Sequence, residues 1–418
     1  MTAHEPAPAE FETDFGGLHR ATPTAVHRMP AAFPAALLGS GRRLTLRGSG
    51  HSCAGQTVTD GELLVTYSPD TAVREIRDLG EGLFEVPAGA SWYGVERYLN
   101  KRGRAFPVLP NYLHMSVGGT LSVGGAGAGS VRWGWQGDQV ERIQLVDGIG
   151  ASRWCSRTED SELFRFALGG MGTIGLIERA MVRTVEHEPR IHLHRNDHPT
   201  LRALAEHTAR VAQDGDADSY WGMARYGRIG SVTGWRGPGR SCAGEDCADV
   251  IESLPSRTDP HGAREPRAGR VRMWADWVVP AEHAVPMIES VAAQFDRVPF
   301  DDPGTMLYVL VLRRPTTAVP FAFAPVVPGP VSVAVGLYAT VDSDPDVTSA
   351  VREAVRDLQR RCGEWGGRPY LYGVGDFDHV QAAGLYLGDL DRLAELRAEL
   401  RLEHVNAHLP LIRAAGKS

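Results

Sequence analysis

Arg47-Gly-Ser-Gly-His51-Ser-Cys-Ala-Gly-Gln56 follows the apolar run Leu44-Thr-Leu46 and precedes another, Leu63-Leu-Val65. A strand that breaks into a glycine-rich turn leaves backbone N–H groups converging on one point, which suits a phosphate anion. His51 stands at the tip of that turn. Taken alone, the fragment reads equally well as a surface turn with an incidental histidine, because short glycine motifs recur by chance. The stretches downstream decide between the two readings.

Upstream, the pattern gives a strand near Ala25–His27 and a small helix over Pro30–Leu38. Downstream, Glu62–Thr66 and Leu83–Val86 read as strands, and Trp92–Arg102 as a helix stopped by Gly103. Then comes Leu109-Pro-Asn-Tyr-Leu-His-Met-Ser-Val-Gly-Gly-Thr-Leu-Ser-Val-Gly-Gly-Ala-Gly-Ala-Gly-Ser130. Its glycines are too dense for a regular element, since each costs backbone entropy and offers no packing. Something must approach that backbone closely. A nicotinamide dinucleotide is excluded, because no G-x-G-x-x-G register fits and no acidic residue follows in a βαβ context. A third glycine-rich crossing, Ala167-Leu-Gly-Gly-Met-Gly-Thr-Ile-Gly-Leu-Ile177, precedes the strand Gly175 to Val185. One extended ligand threading between three crossings accounts for all of them.

Composition narrows the ligand. At 418 residues the chain exceeds the roughly 100–200 residues of one domain. Hydrophobic residues at 43% and charged ones at 23% are those of a globular protein. A net charge of −7 without a basic block offers nothing to a nucleic acid or an anionic membrane, so small molecules are the expected partners. No run of about 18 apolar residues is present, and Met1 to Gly17 is acidic and proline-rich, read as a loose leader of a cytoplasmic protein. Five scattered cysteines fit a reducing compartment, with Cys242 and Cys247 lacking zinc spacing, so no metal is expected.

Three motifs, Arg-Gly-x-Gly-His-Ser-x-x-Gly-Gln, Tyr-Leu-x-x-Ser-Val-Gly-Gly-Thr-Leu-Ser and Glu-Leu-Phe-x-x-x-Leu-Gly-Gly-x-Gly-x-x-Gly-Leu-Ile, occur in this order over roughly residues 20–186. Together they resemble the FAD-binding (PCMH-type) domain of the vanillyl-alcohol-oxidase superfamily, and are most similar to cytokinin dehydrogenase. The resemblance implies an α+β fold: a two-subdomain FAD-binding domain over 18–187, an antiparallel-sheet substrate cap with covering helices over 188–368, and a return to the FAD domain over 369–418. It also implies FAD joined covalently to His51 through the flavin 8α-methyl, which a neutral imidazole can attack. Cys53 is not the second tether of the bicovalent members, which place that thiol in the later loop. By the same resemblance Arg47, Gly48, Ser49, Gly50, His51, Ser52, Gln56, Asn111, Ser116, Gly118, Gly119, Thr120, Ser122 and Ala126 contact the cofactor, and Ile177 borders the adenine.

Cytokinin dehydrogenases carry an aspartate where this chain has Asn111, and an amide has essentially no basicity. Asn111 can orient a substrate but cannot be a general base, so cytokinin is not the expected substrate. His114, three residues on, is the first replacement, followed by Tyr112, Tyr308, Tyr338, Trp274, Asp276 and Trp277. The family's usual C-terminal Asp-Pro…Ser-Pro-Gly-Gln ending is absent, so no tail residue is assigned. Between Glu186 and the tail, strands are expected near Tyr220–Tyr226, Ile229–Trp235, Val271–Val279, Met306–Leu312 and Val331–Tyr338. Helices are expected over Thr200–Val211 and Ala281–Phe295, and from Pro345 onward, with a mobile insertion over Gly237 to Arg270. The expected function is a bacterial secondary-metabolic oxidase or dehydrogenase that passes a substrate hydride to flavin N5, with oxygen or another acceptor reoxidising it. The alternatives are an oxygenating or cyclising flavoenzyme and a non-redox ligand-binding relic.

Overall fold

The computed structural model describes residues 9–29, 35–67, 72–225, 227–236, 247–249, 268–300, 302, 304–314, 320–375 and 379–415. The fold is α+β. Leu44–Arg47 pairs in parallel with Leu63–Tyr67, which pairs on its other edge with Ala25–Met29. Arg47 is the last paired residue, so the glycine-rich turn leaves the sheet where the sequence places it. A second, antiparallel sheet runs in the order Arg77–Asp78, Leu83–Pro87, Leu176–Arg183, Val140–Val146, Ser152–Ser156. Between these lies the helix Trp92–Asn100, capped by Ser91, whose hydroxyl accepts the Gly94 N–H.

The largest sheet has eight antiparallel strands, in the order Cys247–Asp249, Arg190–Asp197, Arg228–Trp235, Ser219–Arg225, Met306–Arg313, Val331–Asp342, Arg270–Pro280, Arg368–Tyr370. The side-chain period of two assigns its faces. Met273, Ala275, Trp277 and Val279 join Leu307, Val309, Val333 and Val335 in a core with the helices Leu201–Asp214, Ala284–Ala292 and Pro345–Glu364. Trp274, Asp276, Tyr308 and Tyr338 take the opposite face. Trp277 is therefore a core residue and leaves the set of candidate site residues. The strand Arg190–Asp197 was not anticipated, because its Arg-Ile-His-Leu-His-Arg run keeps charge on its open face. The Gly237 to Arg270 insertion lies almost wholly outside the described residues.

One further assignment is corrected by packing. From Ala9 onward the N-terminal segment is not loose: Phe11, Asp14 and Phe15 are buried. The Asp14 carboxylate accepts the N–H groups of Leu18 and His19 through Oδ1 and that of Gly55, at 2.9 Å, through Oδ2. Gly16 accepts the Arg272 N–H at 2.8 Å, so this segment straps the glycine-rich turn to the eight-stranded sheet. At the other end, Leu390, Leu393, Leu396, Leu400, Leu402, Val405 and Leu411 pack into the core of the first two sheets.

Candidate active site

The three glycine-rich crossings meet. A cavity of about 100 Å³ is lined by Gly48 and Ser52 from the first, by Ser116, Gly118, Gly119 and Ser122 from the second, and by Gly172, Gly175 and Ile177 from the third. Arg47, Gln56 and the tail residue Asn406 also border it. It abuts a cavity of about 480 Å³, with which it shares Gly48, Ser52, Thr57, Ser116, Gly119 and Val123. The larger one reaches past Ser49, Gly50, His51, Asn111, Thr120 and Ala126 to the inner face of the eight-stranded sheet.

Close approach explains the glycines at the junction. A Cβ on Gly48 would stand 2.3 Å from Ser116 Oγ, and one on Gly119 would stand 2.8 Å from the same atom. Ser116 Oγ is itself buried without a hydrogen-bond partner, and so is the Tyr67 hydroxyl on the wall of the smaller cavity. Buried unsatisfied oxygens facing an open channel are what a polar, extended ligand would complete.

Several of the expected contact residues also make internal bonds. Arg47 turns its guanidinium to the carbonyls of Thr57, Glu10 and Thr13, and burial lowers it to about 10 while leaving it a cation. Gln56 accepts the Ala54 N–H and donates to the carbonyls of Leu371 and Tyr372, stitching the turn to the C-terminal part. The Ser49 hydroxyl donates to His114 O and accepts the Ser116 N–H, locking the first crossing to the second. The Thr120 hydroxyl is held by Trp92 Nε1 and Val117 O. The amides of Gly118 and Thr120 donate to Ala88 O and Ser116 O, whereas Gly119 is exposed.

His51 reaches the larger cavity half-buried, its ring stacked on Phe15 at 3.8 Å between centroids, with Tyr112 at 5.1 Å and Trp274 at 6.1 Å. Burial, reinforced slightly by the charge of Arg272 and opposed by a backbone hydrogen bond, lowers its pKa to about 4. The imidazole is neutral at neutral pH, hence nucleophilic. Cys53 is buried and lines neither cavity, and burial raises its thiol well above the ordinary range.

His114 also lines neither cavity. Tyr93 N–H donates to Leu113 O at 2.7 Å, and the His114 ring packs on Tyr93, at 5.1 Å, and on the cavity-lining Tyr112, at 5.6 Å. The candidates on the sheet fare differently. Trp221, Tyr308, Tyr338 and Trp274, on four neighbouring strands, form a ladder of near-parallel rings with centroid spacings of 6.5, 6.0 and 4.6 Å. Within it sits Asp276, whose carboxylate accepts from Tyr338 at 3.0 Å and Tyr372 at 2.6 Å. Desolvation raises Asp276 to about 6 against the opposing effect of those two bonds. Asn111 and Tyr308 border the same cavity, and Asn111 opposes the burial that raises the Tyr308 phenol. Tyr370, Tyr372 and Asn406 were missed from sequence; the Tyr-x-Tyr alternation of 370–372 was the available signal for two of them. Among the described residues no His, Cys, Asp or Glu cluster is arranged to hold a metal ion, and Cys242, the partner considered for Cys247, falls outside them. No helix among them is long and apolar enough to cross a membrane.

Residues 35–156, which hold the first two glycine crossings and His51, match the family described as FAD binding domain. Over 181 residues the chain is 39% identical to an uncharacterized oxidoreductase, ORF5 in the fasciation locus of Rhodococcoides fascians, covering 42% of this chain and 41% of that one. It is 32% identical over 209 residues to cytokinin dehydrogenase 4 of Oryza sativa subsp. japonica, covering 48% and 39% respectively. With cytokinin dehydrogenase 2 of Arabidopsis thaliana the figures are 34% over 148 residues, 35% and 29%. The chain thus spans about two fifths or less of the length of these curated relatives.

Proposed function

We propose that the protein is an FAD-dependent oxidoreductase whose flavin lies along the two abutting cavities and is joined covalently to His51. The observation that carries this reading is the position of His51, stacked on Phe15 where the glycine-lined channel opens into the aromatic chamber. Gly48, Ser116 with its unsatisfied hydroxyl, Gly119 and Ser122 would hold the pyrophosphate, and Ile177 and Asn406 the adenosine end. When bound, the flavin supplies a two-electron acceptor for a substrate hydride, with oxygen or another acceptor regenerating it.

Residues 18–187 would form the FAD-binding domain and 188–368 a substrate cap, its eight-stranded sheet roofing the chamber. The return of the chain over 369–418 is supported by the tail residues packed in the first core. The chamber is lined by the stacked rings of Trp221, Tyr308, Tyr338 and Trp274, which suit a flat, largely apolar small molecule. Asn111 and the displaced His114 favour a substrate other than cytokinin.

The test is the visible spectrum of the purified protein followed by anaerobic bleaching with a panel of alcohols and amines on flat apolar bodies. A yellow protein bleached by at least one member of the panel is expected. A colourless protein that takes up no added FAD would contradict the reading. Retention of labelled oxygen in the product would move it to the oxygenating alternative.

A further inference from the structure

Among the described residues the aromatic chamber is lined by one carboxylate, Asp276, and one guanidinium, Arg225, and what holds Asp276 is a pair of phenols. A buried carboxylate is costly to ionise unless it is hydrogen-bonded, and these two phenols supply the bonds. Each phenol directs its only proton at the carboxylate, with the Tyr372 and Tyr338 oxygens 3.3 Å apart. The cluster therefore presents lone pairs and no remaining donor to the chamber. It can bind only what donates. Room for it is built in: Gly336 stands opposite Asp276 in the sheet, and a Cβ there would come within 2.4 Å of Asp276 Oδ1.

We propose that Asp276, oriented by Tyr338 and Tyr372, binds the O–H or N–H of the substrate's reacting carbon and takes its proton. The inference rests on the flavin chemistry proposed above and names its substrate class, an alcohol or amine on a flat apolar body. The balance is simple. The heteroatom's proton passes to the Asp276 carboxylate, the adjacent C–H leaves as hydride to oxidised flavin, and the electron pair of the broken O–H or N–H bond forms C=O or C=N. Asp276 fills the part that Asn111 cannot take, from the opposite wall of the chamber.

The groups facing Asp276 are Cys53 from the glycine turn, Tyr308 and Tyr338 from adjoining strands, and Tyr370 and Tyr372 from the chain's return. Burial raises all of them, so they stay neutral between pH 4 and 8, as His51 does above about 4. Asp276, raised to about 6, is then the group that changes charge across that range. A cationic donor is held above its pKa and released as pH falls through it.

The experiment is calorimetric titration of the purified protein with benzylamine, benzyl alcohol and toluene across that pH range, for wild type, Asp276→Asn and Tyr372→Phe. Wild type should bind benzylamine with an affinity that rises through about pH 6. Asp276→Asn should lose about tenfold or more for benzylamine, together with the pH step, while toluene binds unchanged. Tyr372→Phe removes a bond that favours the ionised carboxylate, so the step should move to higher pH, an effect that a merely structural tyrosine would not produce. A preference for benzyl alcohol that Asp276→Asn also abolishes assigns the site to alcohols. Equal binding of both donors by wild type and Asp276→Asn, or a pH step that survives the substitution, would overturn the proposal. Because binding is read by heat, loss of these contacts is distinguishable from failure of the flavin reading, in which the donors bind through Asp276 but never bleach the protein.

Discussion

A Gly127→Ala protein is expected to lose about 3 kcal/mol or more of stability and, with it, the shape of the chamber. A Cβ at this position would stand 1.8 Å from Leu109 O and 2.8 Å from Leu109 C, so a rigid backbone and not a pliable side chain must give way. Two positions on, Gly129 faces Pro107 O at 2.1 Å by the same measure. The segment 107–110 therefore lies flat on 127–129, and it carries Asn111 into the cavity. Moving it moves Asn111 away from Tyr308. Gly363→Ala is the matched control: it lies in the helix Pro345–Glu364 with nothing within 4 Å of its would-be Cβ. That change should leave the melting temperature equal or slightly higher, because alanine favours helix by about 1 kcal/mol over glycine. Similar melting temperatures for the two variants would show that close backbone approach is not why residue 127 is glycine.

The second large effect is expected at Arg397. It is buried, and its guanidinium donates to the carbonyls of Thr173, Leu402 and Val405. Thr173 belongs to the third glycine crossing, and the other two carbonyls to the tail. Nearby, Asn406 accepts the Leu46 N–H and donates to Gly172 O, both at 2.8 Å. The tail thus clamps the third crossing to the strand that leads into the His51 turn. Burial lowers Arg397 to about 10, which still leaves it charged at neutral pH. Arg397→Met would keep the stem's packing and strand three buried carbonyls, costing about 3–5 kcal/mol by the usual penalty for such groups. Denaturant unfolding measures it. An unchanged midpoint would mean that water replaces the guanidinium and that the clamp is not structural.

The parts legible in the sequence are those where the backbone itself is the binding surface. Close approach forbids a Cβ at Gly48 and Gly119, so the crossings are written as glycine, and their order carried the resemblance to the FAD-binding domain. His51 came with them. The chamber was only half legible. Arg270–Pro280 is buried on both faces through much of its length, so Trp274 and Trp277 looked alike in sequence, and strand parity separated them once the helices were in place. His114 lies three residues from Asn111 yet lines neither cavity, because nearness along the chain does not fix which side of a loop a ring takes. Tyr372 and Asn406 arrive from more than 300 residues away, and no local pattern records that. The N-terminal segment misled for a related reason: its proline-rich start hid the buried Phe11, Asp14 and Phe15.

The proposed function centres on a covalent bond between His51 and the flavin. Denaturing electrophoresis with in-gel flavin fluorescence, run on wild type beside His51→Ala, tests it most directly. The account predicts a fluorescent band for wild type that vanishes in the variant, while the variant still folds and takes up FAD that denaturation releases. A wild-type band without fluorescence, from a protein that is yellow before denaturation, would contradict the covalent bond, and a fluorescent band in His51→Ala would place the attachment on another residue.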